Sequence, residues 1–133
     1  MVHRLRIALV ASAAMIGVAL AQSPTATPGV QFMSVPADAT LGYNLIGLNV
    51  YNGAQENVGE IKDLAIVKDK LDGYILSVGG FLGMGQHYVA VKPDSIAINY
   101  DQAKRKWMAS INATKDELKS APEFKYEGRW NAS

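Results

Sequence analysis

The chain has 133 residues, contains no cysteine, and carries 13 basic against 12 acidic side chains. This length suits a single domain with a modest core. Without cysteine, neither a disulfide framework nor a cysteine-based zinc site is available. Nucleic-acid binding requires a clustered basic face, and the near-balanced charge of this chain gives no sign of one. The one basic run, residues 104–106, lies beside a turn signal and is interpreted as a solvated loop. We therefore expect no nucleic-acid partner.

The first 21 residues have the three zones of a Sec-type signal peptide. Arg4 and Arg6 supply a positive start, and residues 7–20 form an apolar run without charge. Small residues at positions 19 and 21 predict cleavage after Ala21. An uncut anchor is disfavoured because a spanning helix needs about 20 apolar residues, whereas this run has roughly 14. We expect a periplasmic or secreted protein with no transmembrane segment in the mature chain, while peripheral membrane contact stays open.

The residues after the predicted cleavage site divide into a leader and a domain. Cleavage would leave 11 basic and 12 acidic side chains, a net charge of −1. Residues 22–40 are rich in Ser, Thr, Pro and Ala, and such a segment buries too little apolar surface to offset its ordering entropy. We expect a flexible leader over residues 22–40 and a folded domain over residues 41–133.

Six short apolar segments, separated by turn signals, predict β-strands without intervening helices. The predicted strands are residues 45–51, 58–67, 74–78, 87–91, 95–100 and 107–112. Asn52-Gly53 and Asp72-Gly73 are predicted hairpin turns because Asn, Asp and Gly tolerate positive φ. A bend is expected near Asp63. The pattern predicts a mainly β fold, a small antiparallel β-barrel of about six strands.

One short helix is predicted near the C-terminus. Thr114 and Glu117 have the spacing of a capping box, and Pro122 disfavours helical backbone at the residue before it. Phe124, Tyr126 and Trp130 follow as an aromatic tail. We expect this tail to cover one end of the sheet, with a contact surface as the alternative.

Four segments of the predicted sheet resemble the PRC-barrel domain, a family named for the photosynthetic reaction centre H subunit. They are residues 48–51 (LNVY), 58–64 (VGEIKDL), 79–85 (GGFLGMG) and 88–91 (YVAV). The resemblance implies a small β-barrel that serves as a docking or assembly module, without shared catalytic residues. It therefore implies a non-catalytic protein that binds a protein partner or a second copy of itself.

The glycine-rich segment from residue 79 to residue 85 is the most distinctive of these pieces. A phosphate-binding loop would end in Gly-Lys and open a helix, whereas here Gln86-His87 and a strand follow. We interpret the segment as a barrel corner, where glycine serves a bulge or a tight bend. Phe81, Leu82 and Met84, if exposed at that corner, are the predicted contact surface.

A second hypothesis is binding of a small ligand, or a role in envelope stress, at the barrel mouth. The mouth is predicted to be lined by aromatic side chains, namely Tyr74, Tyr88 and Trp107. This hypothesis needs no catalytic residue.

The sequence predicts neither a catalytic centre nor a metal or cofactor site. His87 is the only histidine after the predicted signal peptide, and a zinc site built on it would need carboxylates alone beside it. Glu56, Glu60 and Asp63 are close in sequence, but nothing in their spacing places two of them across a cleft, as acid–base catalysis requires. We interpret His87 as a surface or strand-end residue.

Overall fold

The structure is a computed structural model that describes residues 29–79 and 85–131. The chain divides into two units, residues 1–35 and 36–133. In the first unit, residues 29–35 have neither helix nor strand, and their large apolar side chains, such as Phe32, are exposed. The predicted signal peptide and its cleavage site lie outside the described residues. The predicted flexibility of residues 22–40 stays a prediction.

The described residues of the second unit form six strands and two short helices. In chain order these are α1 (Gly42–Leu45), β1 (Asn49–Tyr51), β2 (Asn57–Val67), β3 (Lys70–Val78), β4 (His87–Val91), β5 (Ile96–Asp101), β6 (Lys106–Ile111) and α2 (Lys115–Ser120). Two 3₁₀ turns, Pro93–Ser95 and Gly128–Trp130, complete the described elements. None of the described helices is long and apolar enough to cross a membrane. The predicted mainly β class, with six strands and a short C-terminal helix, is confirmed.

The strands form one sheet in the order β4-β3-β2-β1-β6-β5. Neighbouring strands are antiparallel except for β1 and β6, which run parallel. The sheet is not closed, because β4 and β5 stand at its two ends. An open sheet in this order is consistent with a β-barrel-like fold. The alternation of apolar and polar residues in the sequence does not reveal that one pair of strands is parallel.

The core lies on one face of the sheet, and both ends of the sheet contribute to it. Leu76 on β3 lies opposite Ile61 on β2, and both side chains are completely buried. The same cluster includes Val89 from the β4 end, Ile96 from the β5 end and Leu118 from α2. Because strands from opposite ends share one cluster, the sheet must curl around its core.

The loop between β1 and β2 is organised by one asparagine. The side-chain Oδ1 of Asn52 accepts hydrogen bonds at 3.0 Å from the backbone N–H groups of Ala54 and Glu56. Positive φ occurs at Gln55, at 63°, and not at Gly53. The predicted turn at Asn52-Gly53 is confirmed, but the asparagine side chain is what stabilises it.

The hairpin between β2 and β3 corrects one prediction. Its tip is Lys68-Asp69, whose φ angles of 49° and 66° suit a two-residue turn with left-handed backbone. The prediction of a tip at Asp72-Gly73 was wrong, because both residues lie within β3. A Cβ at Gly73 would lie 2.8 Å from the Val91 carbonyl oxygen, so this glycine permits close approach of β4 rather than a turn.

The first predicted strand also differs from the structure. Of the predicted residues 45–51, only Asn49–Tyr51 form a strand, and Gly42–Leu45 forms α1. Leu45 joins the core from this helix, and Gly47, with φ at 88°, separates the two elements. A short apolar run does not distinguish a strand from a buried helical turn, which explains the error.

Other local predictions are confirmed. The register between β2 and β3 shifts between Ile61 and Asp63, which is the expected bend. At α2, the Glu117 N–H donates to Thr114 Oγ1 at 3.1 Å, and the Thr114 N–H donates to Glu117 Oε2 at 2.8 Å. This reciprocal pair is the predicted capping box. Strand β4 coincides with the predicted residues 87–91.

Candidate functional site on the outer face of the sheet

The face of the sheet opposite the core, here called the outer face, is partly covered. Ile75 lies between the core-facing residues Tyr74 and Leu76 on β3, so its side chain points to the outer face. Ile75 is nevertheless only 5% exposed, although it is not a member of the core cluster. Another part of the chain must therefore cover it.

The C-terminal segment supplies that cover through Tyr126. Its hydroxyl donates to Asp63 Oδ2 at 3.1 Å, and Asp63 is the β2 residue opposite Ile75. Its ring lies 5.4 Å from the ring of Tyr88 on β4, in an edge-to-face arrangement. Since Tyr126 contacts β2 at one side and β4 at the other, it crosses β3 near Ile75.

Two further hydrogen bonds attach the C-terminal segment to β4. His87 Nε2 lies 2.9 Å from the Ala121 carbonyl oxygen, and because a carbonyl only accepts, the proton of this contact belongs to Nε2. The Phe124 N–H donates to the Tyr88 carbonyl at 2.7 Å. The segment thereby satisfies a backbone group on the otherwise free edge of β4. His87 is a half-buried residue at the start of a strand, as predicted.

Four rings form what we call the C-terminal aromatic cluster: Tyr88, Phe124, Tyr126 and Trp130. Phe124 lies 5.0 Å from Tyr126 in an edge-to-face pair and 5.6 Å from Trp130 in a tilted pair. Such pairs contribute roughly 0.5–1.5 kcal/mol each beyond the area that they bury. The cluster runs from a half-buried end at Tyr88 to Trp130, which is 58% exposed.

The Tyr126 hydroxyl has a perturbed acidity. Burial, which is the largest cause, acts together with the hydrogen bond to the Asp63 carboxylate, the charge of that carboxylate and the neighbouring Tyr88 to raise the pKa of Tyr126 to about 12. The phenol must remain protonated to donate to Asp63. The attachment of the C-terminal segment is therefore coupled to pH in the alkaline range.

We expect the stabilisation from Tyr126 to be lost as the pH rises from about 10 to about 12. A folded-state pKa above the ordinary value of 10.0 stabilises the folded protein fully below pH 10. Thermal melting of wild type and Tyr126→Phe across this range should show wild type more stable at pH 7 and the difference shrinking above pH 10. Burial also raises the pKa of Tyr74, but both proteins contain Tyr74, so its effect cancels.

The control for this comparison is Tyr43→Phe, because Tyr43 is 77% exposed. This variant should melt like wild type at every pH. A difference between wild type and Tyr126→Phe that stayed constant up to pH 12 would contradict the role given to the hydroxyl.

The aromatic residues predicted at a barrel mouth occupy three different places. Tyr74 is 5% exposed and belongs to the core cluster. Tyr88 lies opposite Ser77, so it points to the outer face, away from Tyr74. Trp107 is on β6, opposite Tyr100. The structure does not bring Tyr74, Tyr88 and Trp107 together at one opening.

The predicted contact surface of Phe81, Leu82 and Met84 lies outside the described residues and stays a prediction. Sequence reasoning missed the contact between Tyr126 and Asp63, which are 63 positions apart. No local pattern links these two residues. Across the described part of the chain, no group of three or more His, Asp and Glu side chains could hold a metal ion.

Comparison with protein-family models identifies the domain. The family model described as the PRC-barrel domain matches residues 38–118, which is more than half of the chain. None of the curated proteins matches the chain. The family match ends within α2, so Phe124, Tyr126 and Trp130 lie beyond it. Three of the four rings of the C-terminal aromatic cluster are thus additions to the matched domain.

Proposed function

The chain belongs to the PRC-barrel domain family, and from this premise we propose that it is an exported, non-catalytic module that binds a protein partner. The signal-like first 21 residues support export to the periplasm or beyond. The C-terminal aromatic cluster supports the binding role. In this proposal the curled sheet is the scaffold, and the segment beyond the family match adds the contact surface.

The observation that carries the binding role is the exposure of Trp130 on a held segment. Trp130 is 58% exposed, yet its ring packs against Phe124, whose backbone is hydrogen-bonded to β4. Tryptophan and tyrosine are enriched among the residues that dominate binding at protein interfaces. A ring that is already held in place also loses less conformational freedom on binding. These properties favour a protein contact centred on Trp130.

The non-catalytic part of the proposal is supported by the chemistry of the described side chains. General acid–base catalysis uses groups whose pKa lies near the working pH. The pKa shifts of Tyr74 and Tyr126 both move away from neutral pH. The Nε2 of His87 is engaged by a backbone carbonyl, which gives this histidine a structural role.

Trp130→Ala is expected to lower partner capture by about tenfold or more, as loss of a central interface tryptophan does. The measurement is crosslinking in intact cells with a photo-reactive amino acid at Arg129, followed by mass spectrometry of the crosslinked bands. The matched control is Tyr43→Ala, which removes an aromatic ring of 77% exposure from α1. Crosslinked bands that persist in Trp130→Ala at wild-type intensity would contradict the proposal.

A double variant separates this surface from the one predicted at the glycine-rich corner. Replacing Phe81 and Leu82 with serine should leave crosslinking at Arg129 unchanged if the partner binds at the C-terminal aromatic cluster alone. Loss of capture in this variant, with Trp130→Ala unaffected, would assign the partner to the glycine-rich corner instead.

Export is tested separately by cell fractionation. A C-terminally tagged chain should be found in the periplasmic or culture fraction as a band shortened by 21 residues. A full-length band in the cytosol would contradict export and would leave the binding proposal to be judged on the crosslinking result.

A further inference from the structure

A surface cleft of about 470 Å³ lies between residues 37–40 and the strands β5 and β6. Its volume falls within the range of roughly 300–1,000 Å³ that is typical of small-ligand sites. The side chains that matter for binding are Asp38, Thr40, Tyr100, Gln102 and Trp107. This cleft is lined by different residues from those of the C-terminal aromatic cluster.

The cleft has an aromatic wall. Tyr100 and Trp107 are cross-strand neighbours, and their ring centroids are 5.3 Å apart at an interplanar angle of 63°. Rings this close contact each other, so they leave no room between them for a cationic group of the kind held in an aromatic cage. Tyr100 is 42% exposed and Trp107 is half-buried. The pair therefore offers aromatic surface to a flat apolar ligand face.

The rest of the lining is rich in hydrogen-bonding groups. Gln102 offers an amide donor and acceptor, and Thr40 offers a hydroxyl. Asp38 offers a carboxylate, and the described lining contains neither lysine nor arginine. Such a lining suits a ligand with several hydroxyl groups and without negative charge.

We propose that this cleft binds an uncharged saccharide. A pyranose ring has a flat face of C–H groups, which stacks on tyrosine or tryptophan, and a rim of hydroxyls, which bind amides and carboxylates. The Tyr100–Trp107 pair supplies the first kind of contact. Asp38, Thr40 and Gln102 supply the second kind. Both features lie in one cleft, and a saccharide uses both.

The chain contains its own reporter for this test. It has two tryptophans, so Trp130→Phe leaves Trp107 as the sole source of tryptophan emission. Titration of this variant with cellotriose, chitotriose and maltotriose should change the emission in a saturable manner for at least one sugar. We expect a dissociation constant on the order of 1 mM, the weak end of specific binding.

Substitutions within the same background locate the bound sugar. Gln102→Ala removes an exposed side chain from the turn after β5 and should weaken binding about threefold to tenfold, the value of one hydrogen bond. Tyr100→Ala should weaken it by about tenfold or more through loss of the stacked ring. Thermal melting identifies any variant whose loss reflects unfolding rather than a missing contact.

Asn44→Ala is the matched control, because Asn44 lines a neighbouring cleft that also contacts Trp107 but does not line this one. It should leave the affinity unchanged. The proposal is overturned if none of the three sugars changes Trp107 emission, or if Asn44→Ala weakens binding while Gln102→Ala does not. It is also overturned if an extended peptide changes the emission where the sugars fail.

Discussion

Leu76→Ala is expected to lower the free energy of unfolding by about 2–5 kcal/mol, the typical cost of truncating a buried leucine. Leu76 is completely buried at the centre of the sheet. It lies opposite Ile61 on β2 and Val89 on β4, both of which are also buried. The cavity would open between three strands, and their paired backbones limit how far the site can collapse.

This loss is large beside the stability of about 5–15 kcal/mol that is usual for small domains. Urea unfolding at pH 7 measures it as a lower midpoint with an unchanged slope. The matched control is Leu71→Ala, on the same strand, because Leu71 is 37% exposed. We expect this control to cost less than about 1 kcal/mol, since less apolar surface returns to water. Equal losses in the two variants would contradict the position of the core.

Gly59→Ala is expected to cost about 1–3 kcal/mol through overpacking. A Cβ at Gly59 would lie 2.8 Å from the Ser77 carbonyl oxygen and 3.5 Å from a methyl group of Val78. The nearest atom belongs to the backbone of β3, so it can yield only if the pairing of β2 with β3 shifts. On its other side, Gly59 lies opposite Val50 of β1, which is completely buried.

The control for this substitution is Gly53→Ala in the loop between β1 and β2. A Cβ there would have no heavy atom within 4 Å, and the φ of Gly53 is not in the left-handed region. Since alanine restricts the unfolded chain more than glycine does, we expect a neutral or slightly stabilising effect of up to about 1 kcal/mol. Differential scanning calorimetry compares the two variants directly. A Gly59→Ala protein as stable as the Gly53→Ala protein would show that β2 and β3 are farther apart than the structure places them.

Local patterns in the sequence predicted much of the secondary structure. The strand at residues 87–91, the bend near Asp63 and the capping box at Thr114 and Glu117 each depend on residues a few positions apart. Alternation, turn chemistry and helix capping operate over these short distances, so they can be read without the fold. The same reasoning failed for α1 and for the hairpin tip at Lys68-Asp69. At both places the packing of neighbouring strands decides which residues are buried and how closely two strands approach each other.

For the candidate contact residues, too, the sequence predicted some features and the fold decided others. Sequence reasoning identified the aromatic tail as a cover for the sheet, but it could not identify Asp63 and Tyr88 as the residues beneath it. It also placed Tyr74, Tyr88 and Trp107 at one opening, whereas strand register puts Tyr74 in the core and Tyr88 on the opposite face. A shift of one residue in register exchanges the two faces of a strand, so this assignment requires the paired sheet.

The sequence by itself determined the mainly β class, the number of strands and the family resemblance, because these depend on composition and on contacts between residues close along the chain. Only the tertiary structure decided the parallel pairing of β1 with β6, the curl that brings both ends of the sheet to one core, and the meeting of Tyr126 with Asp63. It also decided that Tyr100 and Trp107 share one cleft. These features depend on packing between distant segments, which no local pattern encodes.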